Sequence, residues 1–343
     1  MKIIVDAFGG DNAPLEVLRG CTMAKEQLGV DIALAGDRQQ IEACAKENGL
    51  SLDGMEILDA QGAIPVEEDP TLLLKEYANC SMAVGMQALK EGKGDAFVSA
   101  GSTGALVVGA SLIVKRIKGV RRCGIATVIP NAAGSFLLMD SGANAECSKE
   151  MLLQFGLMGS VYMNRIMGVE KPRVGLLNIG TEPTKGLDLQ RDTYQLLENA
   201  PVEFVGNVEA RELPLGGCDV AVCDGFTGNV ALKLIEGMAK FFSNELKGML
   251  LASTKTKIAA LLLKDSVAAF KKKMDYKEHG GAPLLGASQI VVKAHGSSDA
   301  RAFFHAIRQA KNCVDNHVVE EIAAHLSQMK EATRESARAA SEE

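Results

Sequence analysis

Asp219 to Gly237 reads DVAVCDGFTGNVALKLIEG, and it restricts the folds open to this chain. Val220, Ala221, Val222 and Cys223 form a short apolar run bounded by polar residues, the pattern of a buried strand in a parallel sheet. Asp224-Gly225-Phe226-Thr227-Gly228-Asn229 then gathers turn formers. From Val230 onward, Val230, Leu234, Ile235 and Met238 recur at helical spacing. The stretch predicts strand, loop and helix. In an open parallel sheet, ligands sit at the carboxyl ends of strands. Gly225 and Gly228 are expected to let the backbone approach a ligand, and a helix start suits an anion. Asp224, Thr227, Asn229 and Lys233 are the side chains within reach. The competing reading is an ordinary strand-to-helix turn with an Asn or Thr cap.

The same unit recurs along the 343 residues. Lys2 to Asp6 predicts a strand that ends in AFGGDNAP, with a helix from about Leu15 to Leu28. The Gly9-Gly10 pair is not a dinucleotide fingerprint, because its spacing differs. Asp11 either faces a ligand or caps the helix, as Asn12 could. Strands at Asp31–Ala35 and Met55–Leu58 continue the alternation, in units of about 30 residues. Ala96-Phe97-Val98 opens into Ser99-Ala100-Gly101-Ser102-Thr103-Gly104, where two glycines flank two hydroxyls before a helix over Leu106–Val114. That loop suits phosphate oxygens, but it lacks the lysine of a nucleoside-triphosphate loop. Phe136–Met139 ends in Asp140-Ser141-Gly142-Ala143-Asn144. Arg173–Leu177 ends in Asn178-Ile179-Gly180-Thr181-Glu182, followed by Lys185, and Phe204-Val205 ends in Gly206-Asn207-Val208-Glu209. If these loops share one sheet edge, they line one cleft rich in donors for phosphate.

Composition excludes several classes. Hydrophobic residues make up 47% and charged residues 23%, values of an ordinary globular protein. Aromatics are only 4%, without Trp, and the net charge is −6, so nucleic acid is not an expected partner. The eight cysteines form no C-x-x-C pair, which supports reduced thiols rather than zinc or disulfides. The chain enters a strand at once, so no signal peptide is expected, and no apolar run approaches the ~20 residues of a membrane span.

Charge is unevenly distributed. Between Lys240 and Lys277, nine lysines face only Glu245, Asp265 and Asp275, so that segment carries +6 and the rest of the chain −12. Leu250, Leu251, Ile258, Leu261 and Leu262 supply apolar surface around a turn at Ser253-Thr254. The pattern predicts a basic amphipathic helical hairpin over 238–278, suited to an anionic bilayer. The same surface suits an acidic carrier protein, and packing on a dimer partner is a third reading.

The segments VDAFGGDNAP, SAGSTGAL, DSGAN, GLLNIGTEPTKG, GNVEAR, DGFTGNVALK, GGAPLLG and KAHGSSDA occur in order across residues 1 to 325. Together they resemble the PlsX family, the phosphate acyltransferases of bacterial phospholipid synthesis. Two positions depart from that pattern: Ser141 stands where an apolar residue is expected, and Arg122-Cys123 replaces Arg-Pro. The resemblance implies a three-layer α/β/α sandwich of two intertwined halves, similar to isocitrate and isopropylmalate dehydrogenases and to phosphotransacetylase. It implies one catalytic unit over 1–325 and a homodimer; a charged tail follows over 328–343. It also implies transfer of a long-chain acyl group from acyl-acyl-carrier-protein to inorganic phosphate, without cofactor or metal. The acyl phosphate would feed a membrane glycerol-3-phosphate acyltransferase, which places the enzyme in the cytoplasm at the inner face of the membrane.

Phosphate attacking a thioester requires positioning and oxyanion stabilisation more than covalent help. Ser99, Ser102 and Thr103 are expected to cradle phosphate, with Gly9, Gly10, Asp11, Gly101 and Gly104 around them. Lys185, Asn207 and Asn229 are the expected catalytic donors, and Asn178 and Thr181 could share that work. His295 is the candidate acid for the leaving thiolate, against a loop-fixing role. Asp6, Asp11, Asp140 and Asp224 are expected to orient donors, with the dehydrogenase metal site as alternative. Asn144, Glu182 and Glu209 complete the expected polar lining. Cys223 allows an acyl-cysteine step, although buried cysteines are usually inert. The competing functions are an NAD-dependent decarboxylating dehydrogenase, a CoA-dependent phosphate acyltransferase and a non-catalytic membrane scaffold.

Overall fold

The computed structural model describes residues 1–267, 270 and 280–329. Strand and helix alternate first through β1 (Lys2–Asp6), α1 (Leu15–Leu28), β2 (Asp31–Gly36), α2 (Arg38–Glu47) and β3 (Met55–Asp59). Next come α3 (Ser81–Lys90), β4 (Ala96–Ser99) and α4 (Thr103–Gly109). The hairpin of β5 (Gly124–Asn131) and β6 (Gly134–Met139) leads into α5 (Lys149–Met167), β7 (Arg173–Asn178), α6 (Asp188–Glu198) and β8 (Glu203–Glu209). The chain continues through β9 (Val220–Val222), α7 (Gly225–Leu251) and α8 (Thr254–Leu262). It then returns to the first half with β10 (Ala282–Leu285), β11 (Ile290–Lys293) and α9 (Ala300–Asp315).

Among the described residues, all eleven strands join one sheet in the order β3-β2-β1-β4-β11-β10-β5-β6-β9-β7-β8. Because successive strand residues point to opposite faces, one strand feeds two cores. Ile3 and Val5 of β1 pack in the cluster that holds Leu18 of α1 and Phe303 of α9. Ile4, between them, packs with Met82 and Met86 of α3. In the second half, Leu137 and Met139 face Phe155 of α5, while Leu138 faces Leu232 and Ile235 of α7. The result is three layers: helices, a mixed sheet, helices.

Strand direction decides where the loops go. β3, β2, β1, β4 and β11 are mutually parallel, and so are β6, β9, β7 and β8. Between the blocks, β11–β10, β10–β5 and β5–β6 are antiparallel. Three reversals make the two blocks run in opposite directions. The register then brings their carboxyl ends to one level: Lys293 of β11 pairs with Ala282, Leu284 pairs with Ile125, and Met139 of β6 pairs with Ala126. The loops therefore do not share one sheet edge, as the strand-loop-helix repeats suggested. They meet head-on across β10 and β5.

Several local expectations need correction. Asp224 caps α7, accepting from the backbone N–H and the hydroxyl of Thr227, both at 2.8 Å. Neither Asp11 nor Asn12 caps α1 through its side chain; the Asn12 amide donates to the Ser298 carbonyl at 3.2 Å. The helix expected over Leu106–Val114 begins at Thr103 and widens to a π-type turn over Ala110–Val114. Gly225 and Gly228 serve packing rather than ligand approach. A Cβ on Gly228 would lie 1.9 Å from the Asp140 carbonyl oxygen, and one on Gly225 2.6 Å from that of Asn144.

α7 has 27 residues, about 40 Å of helix. Only Gly225 and Gly228 are buried in it, and α8 has no buried residue. The pair forms a helical hairpin that protrudes from the body, with Phe241, Phe242, Leu251, Ile258, Leu261 and Leu262 exposed. Leu250 is half-buried between the two helices. The remainder of the expected hairpin, residues 268–269 and 271–278, and tail residues 330–343 lie outside the described residues. Among the described residues, no helix is long and apolar enough to cross a membrane.

Two glycine substitutions in α7 should separate packing from helix propensity. Gly228→Ala is expected to destabilise the fold by about 1–3 kcal/mol or more, because the Asp140 backbone must move. Gly237→Ala meets no atom within 4 Å and should stabilise by up to about 1 kcal/mol. Urea midpoints of the two variants measure this. A parental midpoint for Gly228→Ala would mean that the helix start is not pinned on Asp140.

Candidate active site

The loops after β1 and β4 are built on one carboxylate. Asp6 ends β1 with 1% of its surface exposed. It accepts the Ser99 hydroxyl at 2.6 Å and the Phe8 backbone N–H at 3.2 Å. Ser99 Oγ in turn accepts the Gly101 N–H at 3.0 Å. Ser99 is thus not part of a phosphate cradle: its hydroxyl joins the two loops beneath the surface. Burial pushes the Asp6 carboxyl above the ordinary range, against the pull of these donors. Ser81, fully buried, stands near enough to favour the ionised carboxylate, yet its Oγ completes no hydrogen bond of good geometry. Gly9 has no room for a side chain, since a Cβ would sit 2.6 Å from Asp6 Oδ2 and 2.7 Å from the Gly101 nitrogen.

Two cavities open above this platform. The first, about 240 Å³, lies between the blocks and is lined by Thr127, Ser141, Asn229, Lys233, Glu236 and Lys293 among others. Ile125, Val128, Leu232 and Ala282 give it apolar walls. The second, about 330 Å³, lies over β1 and β4 and is lined by Asp6, Asp11, Ser81, Ser102, Phe8 and Ile64 among others. Thr103, Lys293 and Gly296 line both, so the cavities meet there.

Lys293 is the group that sequence reasoning missed. Its ammonium donates to the carbonyls of Ala100 at 3.1 Å and Ala294 at 2.7 Å. Burial lowers its pKa to about 8; Asp6 and Asp11 oppose the shift, and Lys233 adds to it. The available signal was a lysine closing an apolar strand, IVVK, ahead of the loop AHGSS. His295 lines the first cavity and is exposed. Its Nδ1 accepts the Ser297 N–H at 3.2 Å and lies 2.9 Å from the Ser297 hydroxyl. An accepting Nδ1 places the proton of the neutral ring on Nε2.

The second block contributes a turn of similar design. Asp140, fully buried, accepts backbone N–H groups from Ile125, Gly142, Ala143 and Asn144 and the Asn144 amide, at 2.8 to 3.0 Å. Asn144 also donates to the Cys123 carbonyl at 2.8 Å. Both residues shape the turn and line neither cavity, which corrects their expected place in the substrate lining. The same holds for Asp224 and Thr227, engaged in the α7 cap, and for Gly104, packed on Pro70. Asn229 and Lys233, on the first turns of α7, reach the first cavity. Ser141, the departure from the family pattern, bonds Thr127 Oγ1 at 2.6 Å and the Ile125 carbonyl at 3.1 Å on the cavity wall. Cys223 is buried, with its thiol pKa pushed well up, unsuited to an acyl-cysteine step.

Gly9, Gly10, Asp11, Gly101, Ser102 and Thr103 line the second cavity. A further set of expected residues forms its own cluster after β7 and β8. Asn178 donates to the Lys185 carbonyl at 3.1 Å, and Asn207 to the Glu182 carbonyl at 2.8 Å. These amides hold the 179–186 loop. Glu209 pairs with Arg211. Thr181, Glu182 and Lys185 are exposed on that loop, and none of the set lines either cavity.

The chain matches the family described as "Fatty acid synthesis protein" over residues 1–321. It is 45% identical over 329 residues to the phosphate acyltransferase of Alkaliphilus oremlandii, covering 96% of this chain and 98% of that one. It is 48% identical over 330 residues to the phosphate acyltransferase of Caldicellulosiruptor bescii, covering 94% and 99%. Among solved structures, a phosphotransacetylase from Streptococcus pyogenes is similar with a TM-score of 0.63 at 14% identity, covering 93% of this chain and 94% of that chain. The EutD phosphotransacetylase from Staphylococcus aureus gives 0.58 at 17% identity, covering 94% of each. These two likenesses establish a shared fold. The near full-length match at such identity establishes more: this chain belongs to the PlsX family of phosphate acyltransferases.

Proposed function

We infer that the protein transfers a fatty acyl group from the thioester of an acyl-acyl-carrier-protein to inorganic phosphate, releasing acyl phosphate and the free carrier thiol. The observation that carries this reading is the pair of cavities meeting at Thr103, Lys293 and Gly296. Two substrates can be held in separate spaces with their reactive atoms at one junction. The nucleophile arrives as an anion and the thiolate leaves readily, so positioning supplies much of the acceleration. Donors aimed at the developing oxyanion supply much of the rest. Asn229 and Thr103 bring donors to the first cavity, and the Nε2–H of His295 stands at its lining to pass a proton to the departing sulfur.

The hairpin supports placement at a membrane surface and delivery of product to a membrane acyltransferase. Exposed Phe241, Phe242, Leu251, Leu261 and Leu262 accompany Lys240, Lys247, Lys255 and Lys257 on α7 and α8. Basic residues near an anionic bilayer contribute about 1 kcal/mol each.

Three measurements follow from this reading. Acyl phosphate detected by mass spectrometry should appear from palmitoyl-acyl-carrier-protein plus phosphate, without NAD or ATP, and faster than from palmitoyl-CoA. Carrier release that persists without phosphate would exclude the reaction, and a faster CoA reaction would replace the donor. Asn229→Ala should lower kcat by ~10²-fold or more while the fold persists. Lys185→Ala, tested beside it, should show a comparable loss if the 179–186 loop joins the site in the working enzyme; a parental rate confines the site to the two cavities. Finally, Leu251→Glu with Leu262→Glu should abolish co-sedimentation with anionic liposomes while activity on a short-chain acyl carrier protein persists. Parental pelleting by that double variant would rule the hairpin out as the anchor.

A further inference from the structure

We propose that Lys293, acting with Lys233 across the first cavity, is the cation that binds the attacking phosphate. The proposal deepens the acyl-transfer reading above and rests on it. Both lysines line the same space. Lys233 is ion-paired with Glu236 at 2.8 Å. Among the described residues, no carboxylate pairs with Lys293; two neutral carbonyls hold two of its three N–H bonds. The third is available to a ligand where the two cavities meet. Among the described residues that line it, two ammonium groups stand against one carboxylate, so the first cavity is net positive there. The second cavity shares Lys293 and adds the carboxylates Asp6 and Asp11. An oxyanion is therefore sorted into the first cavity, and the uncharged, amide-bearing arm of a carrier thioester is left the second.

Like charges held together in a partly buried site repel, and an anion between them relieves the repulsion. The groups facing Lys293 come from every neighbouring element. They are Asp6 at the end of β1, Asp11 in the loop that follows, Lys233 and Glu236 on α7, and His295 beyond β11. Asp6 is engaged with Ser99 beneath the cavity floor. In the reaction, a phosphate oxygen forms the bond to the carbonyl carbon as the carbon–sulfur bond breaks. The electron pair leaves on sulfur, which takes its proton from His295, and His295 recovers the proton of hydrogen phosphate. Lys293 stays protonated throughout, a binding and charge-stabilising group rather than a proton donor.

Inorganic phosphate binding can be measured by calorimetry on the intact protein without acyl donor, which keeps this test separate from the identity of the donor. Lys293→Met is expected to weaken phosphate binding about 10- to 100-fold, the loss of one charge-assisted hydrogen bond. Lys293→Arg should restore most of it. In steady-state assays the KM for phosphate should rise far more than kcat falls. Its pH profile gives a second readout. Lys293 is charged below about pH 8 and loses its proton above it, so the parent's phosphate KM should rise between about pH 7.5 and about pH 9.5 while that of Lys293→Arg stays level. Lys233→Met, at an exposed position, should weaken binding in the same direction and serves if Lys293→Met does not fold. Phosphate bound as tightly by Lys293→Met as by the parent overturns the proposal, as does an identical pH profile in Lys293→Arg. Loss of acyl phosphate formation by the parent, with phosphate binding intact and lysine-dependent, would instead overturn the acyl-transfer reading.

Discussion

Two adjacent strands, one of four residues and one of eight, decide the architecture. β10 and β5 run antiparallel to each other in the middle of an otherwise largely parallel sheet. Parallel blocks normally send all their ligand-binding loops to one edge. With β10 and β5 inserted, the two blocks point at each other, and the register stops both at the level of Ala126 and Ala282. Lys293 from one block and Ser141 from the other thereby line one cavity. Neither block alone forms that cavity. Lengthening β10 by a pair of residues would shift one block by about 7 Å against the other, enough to separate the two sets of loops.

Electrostatics in the cleft is arranged in tiers. Buried carboxylates lie lowest, each surrounded by donors: Asp6 by Ser99 and the Phe8 N–H, and Asp140 by four backbone N–H groups. A buried carboxylate without such donors would be costly. Their placement makes the loop conformations interdependent, because the Ser99 hydroxyl serves both Asp6 and Gly101. Above them lies Lys293, whose charge is favoured by Asp6 and Asp11 and disfavoured by burial. The platform is therefore acidic below and cationic at the cavity junction. Glycines at positions 9, 225 and 228 permit this layering, since a methyl group at each would meet backbone or carboxylate atoms.

Strands and helices of this chain were legible because each unit carries its own pattern. VAV before DGFTGN, and AFVS before AGSTG, are apolar runs closed by turn formers. What was not legible was direction. β10 reads APLL, only four residues with Pro283 inside, and a proline argues against a central strand. Without β10 the reversal between blocks cannot be inferred, so loops from opposed ends look like neighbours on one edge. The same blindness misplaced Ser99 and Asp140. Hydroxyl and carboxyl residues at strand ends look identical whether they face a ligand or hold the loop that does. Lys293 was hidden for a different reason: a lysine after three aliphatic residues reads as the exposed end of a strand, and only the packing of Ala100 and Gly296 around it reveals the burial.

α7 joins the cavity wall to the protruding hairpin. Its first turns bring Asn229, Lys233 and Glu236 to the cavity wall, anchored by the Asp224 cap and by the contact of Gly228 with Asp140. Beyond Lys240 the same helix leaves the body and exposes Phe241, Phe242, Met249 and Leu251. Isolated helices gain most of their stability from packing of one face, so an exposed continuation of this length depends on its rooted end and on α8. A rigid helix transmits position along its axis. Any partner that binds the exposed apolar face therefore acts on the element that carries Asn229 and Lys233. The same helix therefore has two environments: a first stretch whose polar side chains line the cavity, and a continuation whose aromatic and aliphatic side chains meet solvent.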